Sequence, residues 1–220
     1  MTVPSYEPPA KYVPTPELVT LSRGTRLWRV HGTGHGAGSF NPGPADDNFG
    51  GNRFDGTRSA PYPFLYAGFN PATALAETLL RDLPFDEKGI RRILRGQVAD
   101  RRATSLRVRR DLVLVSLLTE EALNALAQDH WLIDAPQSDY HRTRRWAAWI
   151  RKHAPGAHGM VWPSLRRRGD KAVVLFGDRC EPTDSLFTVG TSVDLTDVRG
   201  AQWINYQVAR ARARIRLPRS

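Results

Sequence analysis

Residues 64–81 read Phe-Leu-Tyr-Ala-Gly-Phe-Asn-Pro-Ala-Thr-Ala-Leu-Ala-Glu-Thr-Leu-Leu-Arg, and no other stretch restricts the fold as much. Phe64 to Phe69 is apolar and aromatic without a charge, which predicts a short buried strand. Asn70-Pro71 then predicts a helix start: the Asn side chain can cap orphan amides, and proline at the first helical position needs no donor. Ala72, Leu75, Ala76, Leu79 and Leu80 recur at helical spacing and form a buried face. Glu77 sits at the edge of that face, where a carboxylate needs a partner or a job. Arg81, four residues on, offers the plain alternative of a surface ion pair.

The length of 220 residues suits one domain with a proper core. Residues 1–22 carry five prolines before position 17 and are expected to be a poorly ordered extension draped over a single domain at 23–220. No apolar run approaches the length of a membrane span, and the N-terminus lacks the apolar core of a signal peptide. A single cysteine, Cys180, excludes an intramolecular disulfide and fits a cytoplasmic location. The six histidines fall into no metal-ligand spacing, so no metal is expected. The net charge of +10, carried almost wholly by arginine, suggests an anionic partner: a nucleotide, a nucleic acid or an acidic protein.

Arg26–His31 is the first convincing strand, with Arg29 and His31 on one face. Eight glycines between Gly32 and Gly56 mark a long loop that matches neither a Walker loop nor a dinucleotide fingerprint. It ends in Gly51-Asn-Arg-Phe-Asp-Gly56, an arginine beside an aromatic. A solvated helix is expected over Glu87 to about Gly96, then a strand with a basic edge; eight arginines fall between Arg91 and Arg110. Asp111–Leu118 reads as a buried strand and Glu120–Gln128 as a short helix. Ser138-Asp139 starts a helix reaching about His153, with Trp146, Trp149 and Ile150 on one face and Arg144 and Arg151 on the other. Strands at Gly159–Trp162 and Ala172–Phe176 flank Ser164, and Ser192–Leu195 is a further strand candidate. The arginine-alternating tail from Arg210 is compatible with a helix followed by a strand, which the pattern alone does not settle.

Four landmarks in order resemble the RES domain family, the toxin half of bacterial Xre–RES pairs. They are Leu27-Trp-Arg-Val30, Asn52-Arg-Phe-Asp55, Leu65-Tyr-Ala-Gly-Phe69 with Ala74-Leu-Ala-Glu77, and Gly159-Met-Val-Trp-Pro-Ser164 followed by Ala172-Val-Val-Leu-Phe176. The resemblance implies an α+β core like that of ADP-ribosyltransferases, a twisted sheet with flanking helices built to hold NAD⁺. It implies an enzyme that consumes NAD⁺ as substrate by hydrolysis, phosphorolysis or ADP-ribose transfer. An acidic Xre-type antitoxin is the implied partner. Carried over by position, Arg29 and Arg53 match phosphate-binding arginines, Tyr66 the ring beside nicotinamide, Glu77 the essential carboxylate and Ser164 the serine of the site.

These residue types suit the chemistry. Breaking the nicotinamide–ribose bond passes through an oxocarbenium-like state that a carboxylate stabilises, and two arginines can clamp a dianionic pyrophosphate. If phosphate were the acceptor, Arg166 or His31 could supply the further cation. The rival reading is a basic nucleic-acid-binding protein or ribonuclease using Arg91–Arg110 and the C-terminal arginines. Against it, aromatics for base stacking are absent between Phe85 and Trp131.

Overall fold

In the computed structural model, which describes residues 6–218, the strand–turn–helix unit forms as its chemistry dictates. Strand β3 (Phe64–Gly68) ends in a glycine that admits the next element closely. A Cβ on Gly68 would stand 2.5 Å from Ala74 N, so a side chain there would push the helix off the strand. Helix α1 (Pro71–Leu75) is capped by Asn70, whose side chain accepts from Thr73 N at 2.8 Å, with Pro71 in the first turn. It passes without a break into one π-helical turn, Ala76–Leu80, which carries Glu77. Such turns are rare and concentrate at functional sites.

The other strands are β1 (Leu18–Leu21), β2 (Arg26–Gly32), β4 (Arg91–Ile93), β5 (Arg101–Val108), β6 (Leu112–Ser116), β7 (Gly159–Ser164), β8 (Arg167–Phe176), β9 (Phe187–Asp194) and β10 (Ala213–Ile215). The other helices are α2 (Glu120–Asn124), α3 (Trp131–Asp134), α4 (Tyr140–His153) and α5 (Val198–Val208). Eight strands form one mixed sheet in the order β1-β6-β7-β8-β3-β2-β5-β9, in which only β6 and β7 run parallel. A small parallel pair, β10 with β4, lies apart. Trp146, Ile150, Leu132 and Leu123 from the α2–α4 side pack on Met160, Trp162 and Val174 of the sheet. Leu75, Leu79 and Leu80 join Ile204 and Val208 of α5 in a second layer.

The sheet is split at its centre. Strands β2 and β5 share seven registered pairs and β3 and β8 five, whereas β2 and β3 meet only at Trp28 and Gly68. Beyond that pair the two strands diverge. The glycine-rich loop closes the far end of the wedge: Asn41 and Phe64 exchange both backbone hydrogen bonds. Arg29 reaches from β2 to donate to the carbonyls of Ala37 and Ser39 in the same loop.

Several expectations are corrected. The segment at 87–96 is not a helix. Asp86 accepts from Lys88 N and Ile90 N, Gly89 turns at φ +66°, and Arg91 N then donates to Arg212 O to start β4 beside β10. Arg144 and Arg151 are not on a solvent face of α4. Arg144 is buried and donates to Gly50 O and Asp46 O, while Arg151 pairs with Asp178 and lies on the rings of Tyr62 and Phe176. The domain begins before residue 23, because Leu18–Leu21 is a strand of the main sheet paired with β6. The described remainder of the lead-in lies over the helical side: Tyr6 packs on Trp131, Glu7 pairs with Arg145 and Tyr12 donates to Ala125 O. Its first five residues lie outside the described ones. β9 extends the strand expected at 192–195 back to Phe187, and the tail is a helix followed by a strand. Among the described residues no helix is long and apolar enough to cross a membrane.

Candidate active site

The wedge between β2 and β3 is a polar cavity of about 430 Å³. Arg29 and Val30 line it from β2, Phe64 and Tyr66 from β3, Glu77, Thr78, Arg81 and Asp82 from the π turn and its end, and Arg101 from β5. A smaller notch of about 40 Å³ shares Val30, Tyr66, Glu77 and Thr78 with it, and is otherwise walled by apolar groups including Trp28, Ala74 and Trp162. Glu77 and Tyr66 therefore stand at the junction of a charged chamber and an apolar slot.

Glu77 is held from two sides. Ser164, at the end of β7 and fully buried, donates its hydroxyl to Glu77 Oε1 at 2.7 Å. Arg81 stands 3.7 Å from Oε2, both side chains being 14% exposed. The i+4 partnership legible in the sequence therefore exists, but inside the cavity instead of on the surface. The hairpin that carries Ser164 grips this segment again through Arg166, which donates to the carbonyls of Leu80 and Arg81 at the end of the π turn.

Tyr66 is fixed at its tip. Its phenol oxygen accepts from Phe54 N at 2.9 Å, and burial, reinforced by the nearby Asp55 charge, pushes its pKa well above the ordinary value, so the ring is neutral. Tyr62 donates to Phe54 O at 2.8 Å and Thr143 to Arg53 O at 2.6 Å, so the Arg53-Phe54 backbone is pinned from three sides. The Arg53 guanidinium does not line the wedge. It is 1% exposed, donates only a long 3.4 Å bond to Ala135 O, leaves Nε and Nη1 unpaired, and lies 5.4 Å from the Tyr140 ring centre. Arg81 lies at the same 5.4 Å from that ring.

Of the five residues singled out by sequence, Arg29, Tyr66 and Glu77 line the cavity. Ser164 stands one hydrogen bond behind Glu77, and Arg53 is buried beside the Tyr140 ring without lining the cavity. Burial pushes Arg29 down to about 10, so it keeps its charge at neutral pH, although its Nη1 is committed to two loop carbonyls. Neither candidate for an extra cation lines the wedge: Arg166 caps the π turn, and His31 turns to Thr104 Oγ1 at 2.9 Å. Arg101 lines the wedge instead. It was not legible from the sequence, because it reaches the site through the register that sets it opposite Gly32. Asn52, from the Asn52–Asp55 landmark, is also on the wall, as is Gln137, which gave no local signal.

A family model for the RES domain matches residues 26–196, a span that contains the wedge, Glu77 and Ser164. The chain belongs to the RES domain family. No curated protein matches its sequence. Among solved structures, a chain in the crystal structure of the M. tuberculosis MbcT–MbcA toxin–antitoxin complex is similar to this RES domain, with a TM-score of 0.54 at 18% identity. The match covers 80% of this chain and 87% of that one. At that identity the likeness is one of fold, and it bears out the α+β core, a large sheet with flanking helices, expected for a RES domain.

Proposed function

We propose that this RES domain consumes NAD⁺ by cleaving its nicotinamide–ribose bond, and that it acts as the toxin of a toxin–antitoxin pair. The observation that carries the reading is the placement of Glu77, oriented by Ser164, where a guanidinium-lined chamber meets an apolar notch. That division matches a substrate with an anionic pyrophosphate at one end and a flat aromatic ring at the other. The apolar notch beside Tyr66 and Trp162 faces the nicotinamide end of the substrate, and the chamber takes the phosphates.

In the reaction the C–N bond breaks and its electron pair leaves with nicotinamide, turning a pyridinium into a neutral ring, so no strong general acid is needed. Positive charge develops at the ribose C1′, and the Glu77 carboxylate stabilises it by charge and by accepting from a ribose hydroxyl. An acceptor oxygen then bonds C1′ and sheds its proton. The acceptor is water, phosphate or a protein side chain, and the phosphate dependence of nicotinamide release separates the first two. The partner that would restrain such a toxin is an acidic antitoxin, complementary to the +10 charge.

The test is nicotinamide release from NAD⁺ by purified protein, alongside Glu77→Gln. Loss of about 100- to 1000-fold in the variant, the scale of one oriented electrostatic group, supports the assignment. Near-normal release by a folded Glu77→Gln protein sinks it.

A further inference from the structure

We propose that Arg81 changes partner when the cavity fills: at rest it holds the second carboxylate oxygen of Glu77, and an anionic group of the incoming ligand draws it away and frees that oxygen. The proposal rests on the NAD⁺ reading only for what the freed oxygen then does.

Neither Glu77 oxygen is at liberty, but the two are held differently. Ser164 binds Oε1 with a short 2.7 Å hydrogen bond from a fully buried hydroxyl. Arg81 stands 3.7 Å from Oε2, beyond the range of a directed hydrogen bond. Its other contacts among the described residues include 3.5 Å to Asn52 Oδ1 and 5.4 Å to the Tyr140 ring centre. The guanidinium is held by nearby negative charge and not by a close directed bond, and a phosphate can offer it the bidentate geometry that Glu77 does not.

Charge pushes the same way. Arg53 lies against the same Tyr140 ring, buried, with Nε and Nη1 unpaired. Arg29 and Arg101 line the chamber, against which the wall sets only Glu77 and Asp82. An anion entering here meets a positive excess, and Arg81 stands on the same wall as Glu77, within reach of both. Its main chain stays put meanwhile, since Arg166 holds its carbonyl.

Two measurements test this, with folding checked by circular dichroism and with Arg81→Lys as a milder variant that keeps the charge and loses the fork. The first is calorimetric binding of ADP, a pyrophosphate without nicotinamide, which needs no turnover. Arg81→Ala is expected to bind about tenfold weaker or worse, the scale of one charge-assisted bond, with Arg81→Lys in between. Glu77→Gln is expected to bind about three- to fivefold tighter, because it removes the competitor for Arg81. That gain should vanish in the Arg81→Ala background. An equal gain in both backgrounds would show that the carboxylate merely repels anions, and would overturn the exchange; so would wild-type protein that binds no ADP.

The second compares NAD⁺ with nicotinamide riboside, which has the same scissile bond and no phosphate. Arg81→Ala should be slower than wild type on NAD⁺ but faster on nicotinamide riboside, since nothing in that substrate draws Arg81 off Glu77. A variant slower on both contradicts the exchange. Should wild-type protein release nicotinamide from neither, the NAD⁺ reading fails, and the ADP cycle alone still decides whether Arg81 is exchanged.

Discussion

Ser164 donates its hydroxyl to Glu77 across 87 residues of sequence, at 2.7 Å and with no exposure of its own. A serine so placed has no access to the chamber, so its contribution to chemistry runs through the carboxylate it orients. Ser164→Ala removes one oxygen from a buried site without changing shape and leaves Glu77 free to swing toward Arg81. The expected result is a protein of near-normal thermal stability whose nicotinamide release falls about 10- to 100-fold, the scale of one charge-assisted hydrogen bond. Ser164→Thr, which restores the hydroxyl, should recover part of the rate. Unchanged turnover in the alanine variant would show that Glu77 does not need this bond.

Tyr66 holds the Gly-rich loop as well as the cavity wall. Its phenol oxygen is the acceptor for the Phe54 amide, and Tyr66→Phe leaves that buried amide without one. The cost should be about 1–3 kcal/mol in denaturant unfolding. It will appear as a shifted midpoint with an unchanged slope. A variant as stable as wild type would mean that the loop finds another acceptor.

The parts of this fold legible in the sequence are those settled by neighbours in the chain. Asn70-Pro71 caps α1 through bonds three residues away, and the alternating apolar residues around Trp146 and Ile150 mark the buried stripe of α4 whatever it packs on. The failures share one cause, a partner far along the chain. Residues 91–93 become a strand because β10, about 120 residues later, supplies the ladder. Arg144 and Arg151 turn inward because loop carbonyls and aromatic rings await them there. Arg101 enters the cavity through strand register, and Arg53 is buried beside Tyr140 without lining it. The arginines of 91–110 likewise do not form one basic surface. Arg91 stacks on Phe85, Arg92 pairs with Asp86, Arg95 donates to Thr196 O and Arg110 to Glu181 O.

Cys180 is buried in the core beneath β8, and burial pushes its thiol up to about 12. Since the thiolate is the reactive form, the native protein should resist Ellman's reagent at pH 8 for as long as it stays folded. In denaturant the same thiol should react fully within minutes. Prompt labelling of the native protein would place Cys180 at an accessible surface and contradict the packing described for it.

His158 makes the folded state sensitive to mild acid. Its ring lies between β6 and β8, where Nδ1 accepts from Val113 N at 3.1 Å, which requires that nitrogen to be unprotonated. Burial, followed by the charges of Arg110 and Arg179, lowers its pKa from the ordinary 6.5; burial and Arg29 lower that of His31 as well. Unfolded chains take up protons on these rings as pH falls through about 6.5, before the folded protein does, so the unfolded state gains and stability declines. The contribution is complete above that value and lost as pH drops through the lowered folded pKa. The thermal midpoint should therefore hold between pH 8 and 7 and fall from pH 6.5 toward 5, above the range where most carboxylates titrate. His158→Asn, whose side-chain oxygen can accept from Val113 N without titrating, should flatten that decline. An equally steep fall in the variant would assign the acid sensitivity to other groups.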